Sequence, residues 1–95
     1  MANSTITKPN KDIMTLQVSG NTSSTIQLPT PYTEALIFVY RASLANGGLY
    51  ATDPWGQITT IIAATNVTVT KDATSPTVTI TDNNGFAVRV KVLIF

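Results

Sequence analysis

The chain of 95 residues contains neither cysteine nor histidine. Without cysteine there is no disulfide framework and no thiolate site, and the redox compartment cannot be deduced. Without histidine, the chain lacks the commonest general base and the commonest metal ligand of proteins. These two absences remove the usual starting points for a catalytic or metal-binding site.

Charge is also scarce. Charged residues make up 12% of the chain, and the formal net charge is +1. Ordinary soluble domains carry about 25% charged residues, so neutral polar side chains must cover much of this surface. Thr, Ser and Asn do so in runs such as GNTSST and AATNVTVTKDATSPTVTITDNN. Because Thr is β-branched and favours a half-buried pleated surface, this composition indicates β-structure.

The six basic residues are scattered, and only Arg89 and Lys91 share one face of a candidate strand. A nucleic-acid surface generally needs a dense basic stripe, so we expect these two residues to solubilise an outward face and expect no nucleic-acid partner. No stretch approaches the ~18 apolar residues that span a bilayer. With no amphipathic basic helix predicted either, we expect no membrane partner.

The N-terminal sequence MANSTITKPNKDIM lacks the charged region and apolar run of a secretory signal peptide. Its start methionine, together with a strand-like C-terminal segment, leads us to expect a complete small gene product. A chain of 95 residues is long enough for one domain with a modest core. We assign residues 1–12 to an N-terminal extension and residues 13–95 to one β-sandwich domain.

Apolar residues alternate with threonine along much of the chain, as in VTVT at 67–70 and TVTIT at 77–81. Turn signals such as SGN, PTP, NGG, DPWG and DNNG separate eight candidate strands. No window carries an apolar stripe with helical spacing. The sequence therefore predicts an all-β fold, a single antiparallel β-sandwich of jelly-roll-like form.

One predicted strand, within EALIFVYRAS, is apolar on both faces. Leu36, Phe38 and Tyr40 alternate with Ile37 and Val39. A strand of this kind is predicted to be central in its sheet, or to be covered on its second side by another chain.

The C-terminal segment FAVRVKVLIF has one apolar face and one mixed face. The predicted inward residues are Phe86, Val88, Val90, Val92 and Ile94. On the other face Arg89 and Lys91 point outward, and the face then ends in apolar side chains. Because an uncovered apolar strand is an aggregation hazard, we expect a homo-oligomer. The predicted interface residues are Ile37, Val39, Leu93 and Phe95.

The segment NGGLYATDPWG at residues 46–56 combines aromatic rings with amide and carboxylate groups. A sugar ring has an apolar face and a rim of hydroxyls, and a surface of this composition can bind both. The candidate ligand-binding residues are Asn46, Tyr50, Asp53 and Trp55. The alternative is that Trp55 caps the sandwich core, and we prefer it because buried aromatics dominate the cores of small domains.

The five carboxylates mostly lie beside turn signals, where an aspartate commonly hydrogen-bonds its own backbone. Nothing in the sequence pairs two of them for glycoside hydrolysis. There is no glycine-rich phosphate loop and no nucleophile elbow. We therefore expect a protein that is not an enzyme and needs no cofactor or metal, with a β-sandwich hydrolase as the remaining catalytic alternative.

The succession of an apolar strand, GGLYATD, GQITTI, NVTVTKD and TVTITDNNGFAVRVKVLIF resembles small β-sandwich modules of bacteriophage and prophage virion proteins. The resemblance covers residues 13–95 and rests on strand order, turn placement and a texture rich in Thr and Asn. Such modules are terminal domains of tail fibres and spikes, or accessory proteins of the head or tail.

The resemblance implies a non-enzymatic structural or adhesion module that forms a homotrimer in preference to a dimer. It also implies a location on the virion or on an extracellular surface after assembly. Other virion proteins or a host-surface glycan are the partners that it implies. A carbohydrate-binding module that uses Tyr50 and Trp55 is the alternative function.

Overall fold

The structure is a computed structural model that describes residues 13–41 and 47–95. The described residues form eight β-strands and no helix, which confirms the predicted all-β class. The strands are β1 (Ile13–Val18), β2 (Thr22–Gln27), β3 (Ala35–Tyr40), β4 (Gly48–Thr52), β5 (Ile58–Ile62), β6 (Val67–Lys71), β7 (Thr77–Asp82) and β8 (Val88–Ile94). The N-terminal extension at residues 1–12 lies outside the described ranges.

The strands form a five-stranded sheet in the order β1-β8-β3-β4-β5 and a three-stranded sheet in the order β2-β7-β6. All pairings are antiparallel. Both sheets contribute to one hydrophobic core, so the fold is the predicted β-sandwich. The β1–β8 and β2–β7 pairs are those of a jelly roll; β3, however, pairs with β4, and β6 pairs with β7.

The alternation of side chains between the two faces of each strand builds the core. In β7, Val78 and Ile80 are fully buried, whereas the threonines that alternate with them, Thr77, Thr79 and Thr81, lie on the outer face. The buried apolar residues are Val18, Ile26, Leu28, Ala35, Ile37, Val39, Tyr50, Ala64, Val69, Val78, Ile80, Val88, Val90 and Val92. Most are β-branched, as expected for side chains that pack on a pleated surface.

The predicted register of β8 is correct within the strand. Its three valines are buried, and Arg89 and Lys91 are exposed. Ile94 is half-buried and packs against the core. The prediction is wrong for Phe86, which is exposed because it lies in the turn before the strand begins. The guanidinium carbon of Arg41 lies 4.1 Å from the centre of its ring.

Strand β3 is central, as predicted, and pairs with β8 on one side and β4 on the other. Its inner face carries Ile37 and Val39, which are buried between the sheets. Side chains that are buried between the two sheets are not available to a second chain, so their assignment to an oligomer interface is corrected. The apolar side chains that β3 does present to its surroundings are Leu36 and Phe38.

Candidate functional site

A continuous set of apolar side chains crosses four neighbouring strands on the outer face of the five-stranded sheet. We call Leu36, Phe38, Leu49, Ile62 and Leu93 the apolar face. Leu36 lies opposite Leu93, Phe38 opposite Leu49, and Leu49 opposite Ile62. Residues opposite each other in an antiparallel pair share a face, with Cβ atoms about 4.5–5.5 Å apart. The apolar face is therefore continuous from β8 to β5.

Several of these side chains are open to the surroundings. Ile62 is 57% exposed and Phe38 is 40% exposed, whereas the three leucines are half-buried. Ile62 belongs to β5, the edge strand, so the apolar face ends there and no described strand pairs with β5 beyond it. A β-bulge between β4 and β5 leaves the neighbouring Ile61 exposed as well.

A shallow groove of about 530 Å³ runs over this surface. Its lining residues are Phe38, Val39, Tyr40, Gly47, Gly48, Leu49, Ile62 and Lys91. A catalytic pocket needs several polar groups that converge on one point. Among the described residues that line this groove, Lys91 is the only ionisable group apart from the Tyr40 phenol. The groove thus suits an apolar contact better than a reaction.

The two predicted interface residues of the C-terminal segment lie at the surface. Leu93 belongs to the apolar face through its contact with Leu36 across the strands. Phe95 follows β8 and is largely exposed, and its backbone N–H donates a hydrogen bond to the Glu34 carbonyl at 3.0 Å. They are thus the members of the predicted interface that a second chain can reach.

The structure does not bring the predicted sugar-binding residues together. Tyr50 is only 2% exposed, because it lies opposite the buried Ile37 on the inner face of the sheet. Its hydroxyl accepts a hydrogen bond from the Ala64 N–H at 2.9 Å. Asn46 lies outside the described residues. Trp55, in contrast, is 75% exposed, so the preferred expectation that it caps the core is wrong.

Asp53 and Gly56 fix the turn that carries Trp55, so the turn does not need the indole ring to hold it and the ring remains exposed. Asp53 Oδ1 accepts hydrogen bonds from the Trp55 and Gln57 N–H groups, each at 3.0 Å. Gly56 has φ of +85°, and a side chain there would collide with the Ala73 carbonyl. Asp53 therefore builds the turn, as predicted for aspartates beside turn signals, and one of its oxygens is already engaged.

A second exposed aromatic residue, Tyr32, was not among the predicted site residues. It is 52% exposed and lies in a turn that Thr30 and Thr33 close. The Tyr32 N–H donates to Thr30 Oγ1 at 3.1 Å, and the Thr30 N–H donates to Thr33 Oγ1 at 3.0 Å. The signal was present in the sequence, since Tyr32 directly follows Pro31 as Trp55 follows Pro54.

The most buried carboxylate, Asp82, has a structural environment. Its Oδ1 accepts hydrogen bonds from the Asn84 N–H at 2.9 Å and from Asn84 Nδ2 at 2.8 Å, while Oδ2 has no partner. Asn84 Nδ2 also donates to the Thr65 carbonyl at 3.2 Å. These contacts tie the loop after β7 to the loop before β6.

Two further kinds of feature are absent from the described ranges. Residues 13–41 and 47–95 contain no group of three or more Asp, Glu, His or Cys side chains arranged to hold a metal ion. Nor do they contain a helix with the length and apolarity required to cross a membrane.

No protein-family model, curated protein or solved structure matches this chain. Its function must therefore be inferred from the fold and from the geometry of its surfaces.

Proposed function

We propose that this chain is a non-catalytic structural or adhesion module that assembles with copies of itself through the apolar face. The observation that supports the proposal is the continuity of that face over β8, β3, β4 and β5. Contiguous exposed apolar surface on a small domain marks an interaction site. Interfaces between identical subunits are more apolar than other interfaces, which makes a second copy the fitting occupant.

Burial of this surface supplies the driving force for assembly. Each Å² of apolar surface removed from water contributes about 25 cal/mol, and the most exposed members, Phe38 and Ile62, have the most to gain. Arg89 and Lys91 lie on the same outer face. Lys91 lies opposite Phe38, so an assembly must give its ammonium group a route to solvent or an acceptor on the neighbouring copy, because burial of an unpaired cation is unfavourable.

A trimer is our preferred stoichiometry, and its support is the resemblance to virion modules. The same resemblance supports a location on a virus particle or another extracellular surface, with other virion proteins as partners. An assembly with closed symmetry covers the apolar face of every copy and does not grow into fibres. The genes on either side of this one test the setting, since capsid or tail genes are expected there.

Light scattering tests the assembly. We expect Leu49→Glu to dissociate the oligomer, because it places an unpaired carboxylate between Phe38 and Ile62, its two apolar cross-strand neighbours. Ile62→Lys provides a second disruptive change at the edge strand, where folding tolerates charge. The matched control is Thr25→Glu, an exposed position on the outer face of the three-stranded sheet. Disruptive variants that fold and keep the mass of the wild-type assembly would contradict the proposal.

A further inference from the structure

Two exposed aromatic turns lie at the same end of the sandwich, although 23 positions separate Tyr32 from Trp55 in the sequence. The connection β2–β3 carries Tyr32, and the connection β4–β5 carries Trp55. Thr52, the last residue of β4, donates a hydrogen bond from Oγ1 to the Thr33 carbonyl at 2.8 Å. We call the end of the sandwich formed by these two turns the aromatic end.

The connection β6–β7 completes this end. Its Ala73 packs against Gly56 of the Trp55 turn, and its Pro76 carbonyl accepts a hydrogen bond from the Leu28 N–H at 2.9 Å. Three connections that are distant in sequence are therefore joined by direct contacts, and the surface that they form is built by the fold as a whole.

Both aromatic residues lie in turns that hydrogen bonds close. A proline precedes each ring and fixes one backbone dihedral angle. The hydrogen bonds of Asp53 close one turn, and those of Thr30 and Thr33 close the other. A ligand would find the turns already ordered, so binding costs little conformational entropy.

The charges of the described residues at this end favour one class of ligand. Glu34 and Asp72 are exposed carboxylates. In the three connections and the strand ends beside them, the basic residue is Lys71. Its Nζ donates hydrogen bonds to the Gly56 carbonyl at 2.8 Å and to the Asp72 carbonyl at 3.1 Å. The end thus offers hydrogen-bond acceptors and apolar rings, and its ammonium group is already engaged. An anionic ligand is disfavoured, whereas a ligand that donates from hydroxyls is favoured.

We propose that the aromatic end binds a neutral saccharide. Trp55 stacks on the apolar face of one sugar ring, Tyr32 provides a second aromatic surface, and the carboxylates of Glu34 and Asp72 accept hydrogen bonds from hydroxyl groups. The site differs from the one that the sequence predicted, because Tyr50 is buried and Tyr32 replaces it. None of these four residues belongs to the apolar face, although the Glu34 carbonyl accepts a hydrogen bond from the Phe95 N–H.

A glycan array of neutral, sialylated and sulfated oligosaccharides provides the first test. We expect retention of a set of neutral glycans and none that depends on sialic acid or sulfate. Failure to retain any neutral glycan, or retention of the acidic ones alone, would overturn the proposal. The result is independent of light scattering on the Leu49 variant, so the two proposals fail separately.

Calorimetric titration with a neutral oligosaccharide retained on the array then tests the residues. We expect Trp55→Ala to weaken binding about tenfold or more, Trp55→Phe to retain part of it, and Tyr32→Ala to weaken it to a smaller extent. The matched control is Phe86→Ala, which removes an exposed aromatic ring at the opposite end. Thermal melts verify that each variant is folded. Undiminished affinity in folded Trp55→Ala would overturn the assignment.

Discussion

The two outer faces of this sandwich follow the same alternation and yet have opposite chemistry. On the three-stranded sheet most outward side chains bear hydroxyl groups. Ser23 Oγ and Thr81 Oγ1 share a hydrogen bond of 2.8 Å, and Thr77 Oγ1 donates to Gln27 Oε1 at 3.0 Å. On the five-stranded sheet, outward positions of β3, β4, β5 and the end of β8 form the apolar face, beside Arg89 and Lys91 of β8. One sheet is thus suited to contact with water, and the other is suited to contact with another surface.

The difference shows how a domain with few charges divides its surface. Threonine on the small sheet keeps the β-propensity of a branched side chain while it remains compatible with water. Threonine could serve equally well on the large sheet, where aliphatic and aromatic side chains stand instead. Folding therefore does not require apolar side chains at the outward positions of the large sheet, and their presence indicates a contact with another surface.

The largest expected effect comes from a charged side chain placed at an inner position of a core strand. Val90 is fully buried in the centre of the core. Val90→Asp would bury an unpaired charge, which costs several kcal/mol, and we expect the domain to unfold. Arg89→Asp, one position along and exposed, is the control that should stay folded. Circular dichroism during thermal denaturation distinguishes the two, and a wild-type melt for Val90→Asp would show that the register is wrong.

The next prediction converts the apolar face to the chemistry of the small sheet. The combined change Phe38→Thr, Leu49→Thr and Ile62→Thr should give a folded monomer, because threonine retains strand propensity and removes the apolar contact. The reverse test places Leu at Thr25, Thr70 and Thr79, where we expect new self-association. Light scattering measures both. A triple-threonine variant that retains the mass of the wild-type assembly would show that the apolar face does not cause the difference between the two sheets.

A smaller effect is expected within the polar face itself. Thr81→Ala removes the hydroxyl that shares a hydrogen bond with Ser23. At this surface position we expect a loss of about 0.5–1 kcal/mol in the free energy of unfolding. Urea denaturation of Thr81→Ala and Ser23→Ala, alone and combined, measures the coupling. Additive losses in the double variant would mean that the two hydroxyls do not interact.

The smallest effect on stability should come from Trp55, since its ring contributes little to the core. We expect Trp55→Ala to leave the unfolding free energy within about 0.5 kcal/mol of wild type. In the wild type, the emission of this single tryptophan should be red-shifted and readily quenched by iodide. A blue, protected emission would place the ring in an interface or in the core.

The sequence predicts the strands well because their signal is local. Alternation of apolar residues with threonine, and turn residues at short intervals, indicated all eight strands and the inward valines of β8. Phe86 was misplaced because the alternation in the sequence extends beyond the point where the strand begins. A turn supplies no inward position, whatever the pattern suggests.

The surfaces were harder to predict because they depend on tertiary contacts. Both faces of β3 are apolar, so the pattern alone could not say that Ile37 and Val39 lie inside. Tyr50 is buried because of its cross-strand position. Trp55 is exposed because Asp53 and the fit of Gly56 against the β6–β7 connection hold its turn outward. Most of these contacts are not local in the sequence.

The mass of the unmodified protein in solution tests most directly whether further copies of the chain cover the apolar face. The chain has a mass of 10.1 kDa. Light scattering at micromolar concentration should give a fixed multiple of that mass, with three copies the preferred number. A single soluble species at the mass of one chain would contradict the proposed assembly.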